Sequence, residues 1–183
     1  MSTSSNEPPQ DPAGPFRAET NYGEDRKQYF ISTIEEAPLK LRGLVDGLTR
    51  VQLNTPYRNW SIRQIVHHLA DSHVHSYIRF KWTLTEEQTT IKAYDEGAWA
   101  LLEDSLTGPI DAPLALLEGL HKCWVQLLRM MTNEQYGRSF HHPESGKTVP
   151  LSEALCYYAW HCRHHTAQTE WLVDKHGWPL PIS

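Results

Sequence analysis

His161 and His165 stand four residues apart in HCRHH, the spacing that sets two side chains on one helix face, one turn apart. Two imidazoles so placed can grip one metal ion. Ala154, Tyr158, Gln168 and Leu172 fall on the same line, so the face is an inward seam. Burying an unpaired polar group costs about 1–3 kcal/mol. A shared ion offsets that cost, as do hydrogen bonds to neighbouring helices. The chain holds eleven histidines, clustered in HHLADSHVH (67–75), FHH (140–142) and HCRHH (161–165). The first cluster offers a third ligand. Periodicity puts His68 at the edge of an apolar face and His73 on that face, and sends His67 away from it. His75 lies beyond His68. His121, on a further seam, is another candidate, and spacing does not choose among them. No carboxylate pair follows the E…ExxH pattern of di-iron bundles. The expected site is therefore nitrogen-rich and mononuclear. Three imidazoles with water in an open position suit a catalytic metal. Zinc, nickel, iron and manganese all accept such ligands, and relative affinity does not select one.

These side chains need helices to hold them. Apolar residues at alternating three- and four-residue spacing trace four seams, which predict four long helices. The first runs Phe30, Ile34, Ala37, Leu41, Leu44, Leu48, with Pro38 inside it as a kink or a fresh start. The second opens at Ser61, where Ser61 and Gln64 have capping-box spacing, and carries Ile62, Ile65, Val66, Leu69, Tyr77, Phe80 and Leu84. The third follows Asp111, read as its N-cap, and carries Leu114, Leu117, His121, Trp124, Leu128 and Met131. The last spans about Leu151 to His176 and stops at Gly177, ahead of Trp178 and Pro179. Short extra helices are expected near residues 95–103 and after Thr132, where Thr132 and Gln135 repeat the capping-box spacing. Residues 140–150 read as a loop with room for a brief hairpin, and strand signals are otherwise thin. The prediction is an all-α four-helix bundle.

Length and composition bound the rest. A chain of 183 residues suits one domain with a real core. No apolar run approaches the roughly 20 residues of a membrane span. The start, MSTSSNEPPQDPAGP, is polar and Pro-rich and lacks the pattern of a secretory signal. Residues 1–18 are read as a flexible lead that need not pack, 19–183 as the bundle domain, and the cytoplasm as the expected location. A net charge of −5 without a Lys/Arg run disfavours nucleic acid and anionic membrane as partners. Cys123, Cys156 and Cys162 form no CxxC pair and are expected as buried reduced thiols. Among seven tryptophans, Trp82, Trp99 and Trp178 leave room for an interface beyond the core.

The chain resembles the DinB/YfiT-like family of metal-dependent hydrolases from about Asn21 to Pro179. The segments that carry the resemblance are TPYR (55–58), WSIRQIVHHLADSHVHSYIRFK (60–81), LTEE (84–87), YDEGAW (94–99), LALLEGLH (114–121) and YAWHCRHH (158–165). HHLADSH and WHxxHH, in that order, mark the YfiT-like branch. The resemblance implies a four-helix bundle whose metal is held by one histidine before Leu-Ala-Asp and two from WHxxHH. In this chain those are His68, His161 and His165. It further implies zinc or nickel as the ion and assembly as a homodimer. One departure concerns the Gly-Gly that often precedes the Trp opening the second helix: here Asn59 leads directly into Trp60, so a shorter loop and an altered pocket rim are expected.

The favoured function is hydrolysis of a small molecule by metal-activated water. The resemblance equally implies a thiol S-transferase, with a low-molecular-weight thiol as partner. A non-catalytic bundle that stores or senses metal is the third reading; it predicts a closed coordination sphere, where an enzyme needs an open position beside a cavity. His121, with an ordinary pKa near ~6.5, is the candidate general base. Asp71 is a candidate to orient a ligand imidazole by hydrogen bonding, and Tyr158 a candidate pocket residue.

Overall fold

A computed structural model of the chain describes residues 7–179. In chain order the elements are α1 (Glu24–Val45), α2 (Arg50–Leu53), β1 (Pro56–Tyr57), β2 (Trp60–Ser61), α3 (Ile62–Thr85), β3 (Thr89–Thr90) and α4 (Glu96–Ala100). They continue with α5 (Glu103–Thr107), α6 (Asp111–Met130), α7 (Asn133–Gly137), β4 (Ser139–His142), β5 (Lys147–Pro150) and α8 (Leu151–His176). The four long helices α1, α3, α6 and α8 form the bundle. α1 packs on α6 and α8, and α3 packs on the same two, which leaves α1 and α3 at opposite corners.

Local chemistry explains the boundaries. Ser61 caps α3: its side chain accepts from the Gln64 N–H while the Gln64 side chain accepts from the Ser61 N–H. Thr132 and Gln135 do the same for α7. Gly177 ends α8 in the left-handed region at φ 61°, where a residue without Cβ is unstrained. Pro38 does not divide the first helix: α1 runs unbroken through it, with the ring buried. Asp111 is not the cap of α6 but its first residue, after Ile110, where its carboxylate still meets the positive end of the helix dipole.

Strand content exceeds the sequence expectation. β4 and β5 pair antiparallel as a hairpin, and β3 adds in parallel on β4. The two-residue pair β1–β2 turns through Arg58 and Asn59, with Arg58 at φ 55°. That tight turn delivers Trp60 to the start of α3. Residues 7–18 also depart from the expected unpacked lead; residues 1–6 lie outside the described residues. Phe16 packs edge-on against Tyr157 at 5.2 Å, and the Trp160 indole N–H donates to the Gly14 carbonyl at 2.8 Å. The Tyr57 hydroxyl and the Arg58 guanidinium also donate to the carbonyls of Pro9 and Pro8, at 2.5 and 3.0 Å, so side chains from two parts of the bundle seat this Pro-rich segment. Among the described residues no helix is long and apolar enough to cross a membrane.

The interior is divided. One apolar cluster gathers Phe30, Ile34, Phe80, Trp124, Leu128 and Leu155; the other gathers Leu41, Val45, Ile62, Ile65, Leu117 and Leu172. Along every long helix the change from one cluster to the other falls near the middle. His68 and His73 on α3, His121 on α6, and His161 and His165 on α8 occupy that middle level, all buried. The bundle thus carries a layer of imidazoles between two hydrophobic ends.

Candidate metal centre

His161 and His165 project from successive turns of α8, and His68 meets them from the facing helix α3. The Nε2 atoms of His68 and His161 lie 3.1 Å apart, and those of His165 and His161 3.2 Å apart. One ligand atom from each of the three lies within 4.8 Å of the others. Nitrogens at about 2.0–2.1 Å from one zinc ion and at tetrahedral angles stand about 3.3 Å from each other. Burial holds the pKa of His68 down to about 4. It holds His161 and His165 well below the usual value, with the neighbouring imidazoles adding to the effect. Neutral imidazoles are the form a metal requires.

Hydrogen-bond directions fix where the lone pairs point. The His121 Nδ1 is 2.5 Å from the Ile34 carbonyl, which can only accept, so Nδ1 carries the proton. In neutral His121 the Nε2 is then an acceptor, and His73 Nδ1 donates to it at 2.7 Å. His73 Nε2 is in turn an acceptor for His161 Nδ1 at 3.1 Å. His161 is left with a bare Nε2 aimed at His68 and His165. Across the site, His165 Nδ1 lies 2.8 Å from the Gln168 side-chain oxygen and donates to it, which bares its Nε2 as well. Two bare nitrogens 3.2 Å apart repel unless a proton or a cation sits between them. The donor set therefore fits a metal ion.

The Ile34 carbonyl is free for a reason written in the sequence. A helical carbonyl normally accepts from the N–H four residues on, and here that residue is Pro38, which has none. The chain Ile34–His121–His73–His161 then passes through α1, α6, α3 and α8, one residue from each long helix.

His73, His121 and Cys162 form a second group of that compactness. Its hydrogen bonding argues against a second ion. His73 Nδ1 is protonated in the chain above, and burial pushes the Cys162 thiol well up. Cys156 is buried too, whereas Cys123 is exposed, unlike the expectation for all three; its position on α6 faces solvent.

His121 takes a different place from the expected general base. Both its ring nitrogens are engaged and burial lowers its pKa to about 4, so it orients rather than receives protons from substrate. Asp71 orients no ligand imidazole through its carboxylate; its backbone carbonyl accepts from His75 Nδ1 at 2.8 Å. Burial, and the charge of Asp104, push the Asp71 carboxyl up to about 6. The orienting acceptors are instead His73 and Gln168. Gln168 was visible as a seam residue three positions after His165, but nothing in the sequence marked it as a partner. His67, expected to face away, is buried because α4 and α5 cover the outer side of α3. His75 stacks on Tyr94 at 4.2 Å.

A cavity of about 530 Å³ opens on one side of this layer, with His161 in its wall. Tyr158 lines it, together with Ser72, Arg79 and Phe16. Trp60, outside that lining, packs against His68 with ring centroids 4.5 Å apart.

Fold and site together define a helical bundle built around a buried three-imidazole cluster, one member of which, His161, lines a cavity. The chain belongs to the DinB superfamily, whose sequence model matches residues 33–169. It is similar to the Bacillus subtilis (strain 168) protein named "Putative metal-dependent hydrolase YfiT", 45% identical over 169 residues, covering 91% of this chain and 95% of that one. A relative of the same functional name from Bacillus cereus (strain 03BB102) is likewise 45% identical, covering 91% of this chain and 96% of its own. The solved structure of YfiT, described by its unusual four-helix bundle topology, superposes with a TM-score of 0.89 at 44% identity, covering 92% of this chain and 98% of that one.

Proposed function

We propose that this protein is a metal-dependent hydrolase of a small molecule, with one divalent transition metal held by His68, His161 and His165. Zinc or nickel suits three imidazoles. The observation that carries the reading is the cavity of about 530 Å³ with His161 in its wall. A storage or sensor bundle would close its metal behind protein ligands and need no such space. Family membership beside proteins named for metal-dependent hydrolysis supports the same conclusion. A metal bound there supplies Lewis acidity, which makes water a competent nucleophile near neutral pH.

The chain's own residues supply the rest. His73 and Gln168 hold the ligand rings in the tautomers that present Nε2. Trp60 packs against the His68 ring on the side of α3 where that helix begins. Tyr158 shapes the cavity wall next to His161.

The test is elemental analysis of purified variants joined to a panel of activated esters and amides. His68→Ala, His161→Ala and His165→Ala each lose stoichiometric metal and turnover, while a control on the exposed face of α8, Lys175→Ala, keeps both. Full metal content in any of the three histidine variants overturns that ligand. Loss of metal with no wild-type turnover on any ester or amide overturns hydrolysis.

A further inference from the structure

Arg79 is the cavity residue that the ligand cluster does not explain. It is only 9% exposed, and a guanidinium is charged at any accessible pH. None of the ion pairs among the described residues includes it. Its Nη1 donates to the Tyr158 hydroxyl at 3.1 Å, its Nη2 reaches the Lys92 carbonyl only at 3.5 Å, and its buried Nε has no partner. A buried cation without a carboxylate is a costly thing for a fold to keep. Arg79 lines the same cavity as His161 and Tyr158. A planar fork in that position suits a bidentate oxyanion.

The more exposed part of the cavity lining has the opposite sign. Asp95 and Glu96 at the start of α4, Glu144 in the β4–β5 turn and Glu153 in the first turn of α8 all line it. They come from three separate elements and are exposed or half-buried, whereas Arg79 is buried. The cation therefore sits deep and the carboxylates sit at the mouth. The Glu96 carboxyl is pushed up by its partial enclosure and by the charges of Asp95 and Glu144, so these groups repel one another. A simple anion would have to pass this acidic mouth, and a simple cation would meet Arg79. A molecule carrying both charges satisfies both ends.

We propose that the cavity binds a small zwitterion, an amino-acid-like molecule or short peptide, with its carboxylate on Arg79 near His161 and its amine at the acidic mouth. The proposal rests on the hydrolase reading for the bond that is cut, an amide or ester within that molecule. The binding itself rests only on the cavity.

The test uses the full chain, loaded with zinc and again metal-free, and three probes of one carbon skeleton: ε-aminocaproate, caproate and hexylamine. Calorimetry should show ε-aminocaproate binding about tenfold or more tightly than either of the others, the size expected when a charge-assisted pair is gained at one end. Arg79→Gln should remove about tenfold of ε-aminocaproate affinity and leave hexylamine unchanged. Glu144→Gln combined with Glu153→Gln should weaken ε-aminocaproate and hexylamine and spare caproate. Arg79→Gln should melt no lower than wild type, since it removes a charge with no carboxylate partner; should it fail to fold, Arg79→Met, which keeps most of the apolar stem and removes the charge, supplies the same comparison. Equal affinity for caproate and ε-aminocaproate, no response to the Arg79 variants, or no saturable binding of ε-aminocaproate overturns the proposal. Zwitterion preference without turnover of any ester or amide removes the hydrolase reading and leaves this one standing.

Discussion

Pro38 shows how a single residue reaches a site it does not touch. Its missing N–H leaves the Ile34 carbonyl to His121, and two further imidazoles pass that choice on to the Nε2 of His161. Each ring depends on the one before it, because a neutral imidazole offers one donor and one acceptor. Replacing His121 by Phe removes the acceptor for His73 Nδ1 and frees His73 to flip its tautomer. The expected result is a loss of metal affinity of about 10-fold with the one-ion stoichiometry kept, at the low end for a ligand's orienting partner because His121 acts one ring behind His73. Titration against a competing chelator measures it, and nitrogen chemical shifts of His161 report the tautomer directly. Unchanged affinity with unchanged shifts would show that the relay does not govern the ligand.

At the scale of elements, the start of α3 has the most to position. Ser61 and Gln64 close its first turn, the neighbouring Trp60 covers His68, and the Gln64 amide also donates to the Ala100 carbonyl at 2.8 Å. Gln64 thus ties the cap of one helix to the end of another. Ser61→Ala is expected to cost about 1 kcal/mol of stability, read as a lower urea midpoint at constant m-value. His68 lies two turns further on, so metal stoichiometry should stay at one. A variant as stable as wild type would mean that Gln64 alone holds the turn.

The whole molecule carries its imidazoles between two apolar clusters, and this sets its response to acid. Burial lowers His68 and His121 to about 4 from an ordinary 6.5. Above pH 6.5 each is neutral in both the folded and the unfolded chain. As pH falls toward 4 the unfolded chain takes up protons that the folded one refuses, so stability declines with acid through that window. The size is on the order of 3 kcal/mol per group. Asp71 works the other way: its carboxyl, raised to about 6 from 3.8, stabilises the fold below that range and costs as pH rises through 6. Metal-free protein is therefore expected to lose melting temperature steeply between pH 6.5 and 4. A metal present at about 100 times its Kd adds about 2.7 kcal/mol at neutral pH, and this gain also vanishes as protons compete for the ligands. Thermal melts across that range, with and without zinc, check both; a flat profile for the metal-free chain would contradict the buried neutral layer.

The order of residues along the chain was enough for the four long helices, their caps at Ser61, Thr132 and Gly177, and the shared face of His161 and His165. These follow from periods and local hydrogen bonds, which act over four residues or fewer. It also left His68, His73 and His121 as equal partners for that pair, because helix periodicity gives a face and not a neighbour. Only the packing of α1, α3, α6 and α8 brought His68 to Nε2 contact with His161 and put His73 and His121 one and two rings behind it. The β3–β4–β5 sheet, the seating of Phe16 and the deep placement of Arg79 were equally invisible, since each depends on contacts between segments far apart in the chain. Local order is set by near neighbours along the chain, whereas a metal cluster is a meeting of distant ones, and that meeting exists only once the bundle has closed.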